Sequence, residues 1–295
     1  MITWGVPIYL YLWLAGMAAG AYFTAFLAER FGKHKDHRLL HISLYLGIPA
    51  AMAGVIFLLS DLSYPLRFWH LFIFFNITSP MSIGSWLLIL WMGMGILIIF
   101  FWLIRNRIPI KPERLQRITN FIQWVGFFAS VLLMSYTGVL LAVSIQPLWA
   151  STFLLSPLFV VSAISTGAAI LILAALISRI WKIHGETIKR MIQVDAIVIA
   201  FEFVILLVFL LWLYKSGIPG ASESMIMLTT GVLAVRLWLG VVSLAIMVPF
   251  ALDVVHWGKK VGEHRTVLIA AIFSSACVIF GGLILRIVIV VGGQI

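Results

Sequence analysis

Eight stretches of this chain are apolar for long enough to cross a lipid bilayer: roughly 7–28, 40–60, 84–104, 118–144, 153–178, 192–214, 226–250 and 266–291. About 20 helical residues span the hydrocarbon core. Lipid offers the backbone no hydrogen-bond partner, so each stretch must satisfy its own N–H and C=O groups as a helix. The reading is an all-α polytopic membrane protein with eight transmembrane helices in a bundle, and residues 1–295 as a single integral membrane domain. Only 10% of residues are charged, against about 25% in soluble domains. The first stretch has no Lys or Arg before it, is too long for a signal sequence's apolar core and lacks a small-residue cleavage site, so it reads as a retained helix.

The net charge of +10 is topological rather than a nucleic-acid signal. Sixteen of the 20 Lys and Arg residues fall in alternate connectors. These are Arg30, Lys33, Lys35 and Arg38; Arg105, Arg107, Lys111, Arg114 and Arg117; Arg179, Lys182, Lys189 and Arg190; and Lys259, Lys260 and Arg265. The other connectors hold only Arg67 and Lys215. Cationic loops stay inside, so both termini and the connector from Asp61 to Trp86 are expected on the outer face.

Little points to a bound metal. A lone cysteine, Cys277, lies within the last apolar stretch and can form neither an intrachain disulfide nor an iron–sulfur site by itself. A membrane cytochrome needs histidines inside its spans. Here His34, His37, His41, His184, His256 and His264 fall at or near the inner connectors and His70 at the outer one, so no haem is expected. No Cys/His spacing suggests a metal centre.

Charge at membrane depth is costly and marks function by default. Glu202 lies about half-way along the sixth stretch, and Asp195 is seven residues earlier on nearly the same face. Arg236 reads as central in the seventh stretch and Arg286 as late in the eighth. Two readings stand: buried pairs that neutralise each other, or an intramembrane polar path for protons or around a ligand cavity. The small residues Ala15, Gly16, Ala18, Ala19, Gly20 and Ala21 let helices approach closely.

The connector carries the densest chemistry. It runs Asp61-Leu62-Ser63-Tyr64-Pro65-Leu66-Arg67-Phe68-Trp69-His70, then Asn76-Ile77-Thr78-Ser79-Pro80-Met81-Ser82-Ile83-Gly84-Ser85-Trp86. A carboxylate and an imidazole are suited to taking protons, and Tyr136, within Ser135-Tyr136-Thr137-Gly138, could donate a hydroxyl. The alternatives are a surface salt bridge of Asp61 and His70 with Arg67, and a buried tyrosine bonded to a backbone carbonyl.

The connector resembles the signature of the NrfD/PsrC family of quinone-reactive membrane subunits. So do Pro7–Tyr22, Tyr136–Leu141, Pro147-Leu148-Trp149, Ser162–Gly167, the acids Asp195 and Glu202, and the end from Gly281 through Arg286 to Gln294. The resemblance implies eight helices in a prokaryotic cytoplasmic membrane, with no haem or iron–sulfur cluster of the protein's own. It implies a docked, ferredoxin-like iron–sulfur partner with several cubane clusters, usually a molybdopterin or other catalytic subunit, and electron exchange with a menaquinone pool. Carried over, Asp61, His70 and Tyr136, with Arg67 and Asn76 nearby, become quinone-site candidates. Asp195, Glu202, Arg236 and Arg286 become candidates for a path along which protons move. A family form with a histidine in the first helix is not matched, since that region reads Ala19-Gly20-Ala21-Tyr22-Phe23-Thr24. Two other classes compete: a secondary transporter or ion channel, against which no inverted repeat or paired broken span stands out, and a passive anchor.

Overall fold

A computed structural model describes residues 4–32, 37–61, 73, 76, 78–105, 112–144, 146–150, 152–216, 220–259 and 265–294. Among the described residues the protein is all helix and has no strand. The elements are α1 (Val6–Phe31), α2 (Arg38–Ser60), α3 (Pro80–Ile104), α4 (Pro112–Ala142), the single turn α5 (Pro147–Ala150), α6 (Leu155–Ile177), α7 (Trp181–Lys215) and α8 (Ala221–Thr229). A π-helical segment, Arg236–Met247, then runs into α9 (Val248–Val255), and α10 (Arg265–Gly292) ends the fold. Eight of these helices are long and apolar enough to cross a membrane, with the π segment and α9 counted as one.

The seven other stretches fall where hydropathy puts them, but the seventh does not. Residues 226–250 are not one helix. α8 ends at Thr229, and the helix breaks through Thr230 and Gly231 before the span Arg236–Val255 begins. A β-branched pair followed by glycine is a poor helix interior, and hydropathy does not register it. The span opens with twelve π-helical residues, a rare conformation over that length. Ser243 Oγ satisfies the carbonyl of Trp238, five residues back, at 2.9 Å.

α1 is the buried centre of the bundle and packs against α2, α6, α4 and α10. Its small residues make that position workable. A Cβ at Gly20 would fall onto the Ala163 carbonyl, and one at Gly167 onto the backbone of Gly20 and Ala21, so α1 and α6 cross backbone to backbone. Lipid gives no hydrophobic drive to helix association, so close packing has to supply it. The small residues of α1 are therefore a helix contact, with Ala15, Ala18, Ala19 and Ala21 all buried.

The two ends of the sequence are tied together. Gln294 Oε1 accepts from the Trp4 amide at 2.6 Å, and its Nε2 donates to the Trp4 carbonyl at 2.9 Å. The Trp149 indole, 5.0 Å from that of Trp4, donates to Ile289 O at 2.8 Å. This end of the bundle, which also carries Asp61 and the start of α3, is called the terminal face below. The opposite end, with Arg30, Arg38, Arg105, Arg179 and Arg265, is the basic face.

Candidate functional site

Two sites emerge. The first is a slot of about 330 Å³ near the terminal face, enclosed by α1, α2, α3 and α4. Its walls are Met52, Val55, Ile56, Met81, Leu88, Ile89 and Met92, among others, and its polar groups are Tyr11, Tyr136 and Ser85. Tyr136 is 7% exposed and Tyr11 2%. Tyr136 lies about two turns from the end of α4 and Tyr11 about as far from the start of α1. Among the described residues, neither phenol makes a hydrogen bond, so the alternative of a Tyr136 bonded to a backbone carbonyl is not what the structure has. The Tyr136 ring has room only because position 84 is glycine: a Cβ there would lie on its ring and hydroxyl. The connector motif therefore acts on the slot through Gly84, Ser85 and Met81 on α3.

Asp61 and Asn76 of the connector do not line the slot. Asp61 is exposed and caps the end of α2, its amide donating to Leu58 O at 3.3 Å. Asn76 is also exposed. Its Oδ1 accepts from the Thr78 amide at 3.0 Å and the Thr78 hydroxyl at 2.7 Å, and its own amide donates to Ser82 Oγ at 3.1 Å. It shapes the turn that leads into α3. Arg67 and His70 lie outside the described residues.

The second site is a seam of buried polar groups among α6, α7, α9 and α10. Arg286 is fully buried. Its Nη1 donates to Ser162 Oγ at 2.6 Å and to Gly282 O at 3.0 Å, and its guanidinium lies 5.2 Å from the centre of the Phe159 ring. Glu202, 4% exposed, interacts electrostatically with Arg286 and neighbours Ser162. Among the described residues the two charges make no direct ion pair; the Ser162 hydroxyl stands between them. Among the described residues, Arg286 Nε and Nη2 and one oxygen of Asp195 have no hydrogen-bond partner, and such buried atoms usually mark a water or a ligand.

Toward the basic face, Asp195 is 4% exposed and close to both Glu202 and Asp253. Asp253, 5% exposed, accepts from Ser274 Oγ at 2.9 Å and lines a small hollow with Lys189, Gln193 and His256. Arg236 does not join this group. It is exposed, and it is the first residue of its span rather than a central one, because the span begins ten residues later than hydropathy suggests.

Sequence reasoning missed Tyr11, Ser162 and Asp253. Ser162 and Tyr11 lie inside stretches already singled out for other reasons. Asp253 falls just past the expected end of the seventh stretch, where an acid reads as a loop residue; the later start of that span brings it inside.

Known proteins resemble this sequence. The family model described as polysulphide reductase, NrfD, matches residues 1–295. The sequence is 28% identical to the C component of the polysulfide reductase of Wolinella succinogenes, over 99% of its own length and 95% of that protein's. It is equally 28% identical to protein NrfD of Escherichia coli, over 100% and 96%. A shorter match, 32% over 84 residues, reaches the C component of the selenate reductase of Mesobacillus selenatarsenatis and takes in 28% of this protein.

Proposed function

The chain belongs to the NrfD polysulphide reductase family, and from that premise we propose that it is the quinone-reactive membrane subunit of a multi-subunit oxidoreductase. It exchanges electrons between the menaquinone pool and a docked iron–sulfur subunit, and a molybdopterin or other catalytic subunit completes the complex. The relatives named as components of polysulfide and selenate reductases support the class of assembly. The observation that carries the quinone reading is the slot beside Tyr136.

The slot fits such a group. Its volume is at the lower end of small-molecule sites, and apolar walls with a few fixed polar groups are what such sites present. Side chains of Met52, Val55 and Leu88 would enclose an apolar ring, and the Tyr11 and Tyr136 hydroxyls would hydrogen-bond ring oxygens. Bound quinol supplies two electrons and two protons on oxidation. The phenols orient the ring oxygens as hydrogen-bond donors. Asp61, exposed at the end of α2, and His70 would take the protons, with Arg67 in the same connector of the sequence. Asn76 holds the turn that sets α3, and through it Ser85 and Met81.

Binding of a menaquinone analogue to the full-length protein in mild detergent tests this reading. Saturable binding that Tyr136→Phe weakens, with co-purifying iron–sulfur protein, supports it. Binding absent from wild type, or indifferent to Tyr11→Phe and Tyr136→Phe together, overturns it in favour of a passive anchor.

The polar seam adds a role in proton movement. Asp253, Asp195, Glu202 and Arg286 form a ladder of buried groups from the basic face to the depth of Tyr136, since Arg286 and Tyr136 each lie about 9 Å from the terminal end of their helices. Proton release per electron in liposomes that is unchanged by Glu202→Gln removes this role and leaves the quinone reading intact.

A further inference from the structure

α2 and α3 touch near their middles and part toward both ends. The contact is set by glycines. A Cβ at Gly95 would approach Leu44 Cδ2 to 2.8 Å and Ile48 Cδ1 to 3.2 Å, and one at Gly47 would lie 3.1 Å from the Trp91 ring. Toward the terminal face the seam opens into the slot beside Tyr136. Toward the basic face it opens again, into a cavity of about 340 Å³ between α2, α3 and α4.

This second opening is of a different chemistry. Its polar wall includes His37, His41, Arg105, Gln116, Asn120 and Gln123, and no acidic side chain lines it among the described residues. Arg105 is held over the rim by Trp102, its guanidinium 6.0 Å from the ring, and the His41 ring lies 4.7 Å from the same indole. The Glu29 carboxylate beside His37 is committed elsewhere: Oε1 accepts from the Leu40 amide at 2.8 Å, and Oε2 lies 3.0 Å from His37 Nδ1.

One turn deeper on the same two helices lies an apolar hollow of about 230 Å³. It is lined by Leu44, Tyr45, Ile48, Pro49, Ile96 and Ile99. Leu44 forms its buried floor, while Tyr45 and Ile96 are about half exposed at its open side. A cationic, amide-lined cavity at the end of a bundle, with an apolar hollow one turn deeper on the same helices, matches one kind of occupant. Anionic headgroups seat in basic pockets between transmembrane helices on the cationic face.

We propose that the α2–α3–α4 seam at the basic face binds an anionic phospholipid. Its phosphate sits among Arg105, His41 and the Asn120 and Gln123 amides, and one acyl tail lies along Leu44, Ile48, Ile96 and Ile99. The lipid fills the void that the Gly95 contact leaves, and so fixes α2 and α3 at the end opposite the slot. The site stands independently of the quinone reading.

Native mass spectrometry of the full-length protein, with the subunits that co-purify, tests the site against phosphatidylglycerol, phosphatidylcholine of the same acyl composition, and inorganic phosphate. Phosphatidylglycerol should be retained in preference to phosphatidylcholine. Arg105→Gln, at an exposed position, should weaken it about fivefold while leaving phosphatidylcholine unchanged. Ile96→Trp, which alters no charge and closes the open side of the hollow, should weaken it as well. Equal retention of the two lipids by wild type overturns the proposal, because both are then ordinary boundary lipid; that comparison needs no variant. Full displacement by inorganic phosphate, with Ile96→Trp having no effect, also overturns it and leaves a site for a free oxyanion.

Discussion

The slot beside Tyr136 and the seam beside Arg286 lie at similar depth and both border α1, yet they are built on opposite principles. Tyr11 of α1 faces the slot, whereas Gly16, a turn and a half later, lies against Arg286: a Cβ there would be 3.4 Å from Nη2. The slot is empty space walled by side chains that need nothing from one another. The seam is a line of buried polar groups in which each charge depends on its neighbours. An apolar cavity with two phenols tolerates substitution of either phenol, because nothing else loses a partner. A buried arginine held by one serine and one carbonyl tolerates very little, because removing one partner strands the other.

That contrast orders the expected effects. The largest falls on Arg286→Met, which leaves Glu202 buried without its countercharge and should cost about 3–5 kcal/mol. Thermal stability in detergent reads the loss. Adding Glu202→Gln should recover most of it; if the double variant is no more stable than the single, the two charges are not coupled across Ser162. Next comes Gly84→Val, which drives a side chain onto the Tyr136 ring. Overpacking of this kind costs about 1–3 kcal/mol, and binding of a menaquinone analogue should disappear while helix content by circular dichroism is kept. Retained binding would mean that the ligand does not use the Tyr136 wall.

Smaller effects sharpen the comparison. Tyr136→Phe should weaken analogue affinity up to about tenfold, one hydrogen bond's worth, with no change in melting temperature. A fall in stability instead would place Tyr136 with the seam's interdependent residues. Ser274→Ala removes the donor to Asp253 and should cost about 1 kcal/mol, since a buried carboxylate is left one bond short. A neutral result would mean that water reaches Asp253 through the hollow beside His256.

The sequence made the two regions unequally legible. Buried charges are conspicuous in apolar helices, so Asp195, Glu202 and Arg286 stand out by their cost alone. Arg236 stands out in the same way and is misleading, because cost argues from depth, and depth depended on a helix start that the Thr229-Thr230-Gly231 break moved. The slot was visible only through Tyr136 and the connector motif. Tyr11 was hidden in an apolar stretch where tyrosines serve equally as interfacial anchors.

Length, apolarity and the alternation of basic connectors determined by themselves that this protein is a bundle of eight membrane helices. They do so because lipid permits the backbone few other solutions. Which residues meet was decided by packing alone. The glycine crossing of α1 with α6 and the Gly84 gap under Tyr136 are contacts between distant segments. So is the serine standing between Glu202 and Arg286. Where nearly every helix face is apolar, hydrophobicity does not say which face turns inward. Close fit does, and it exists only once the helices are assembled.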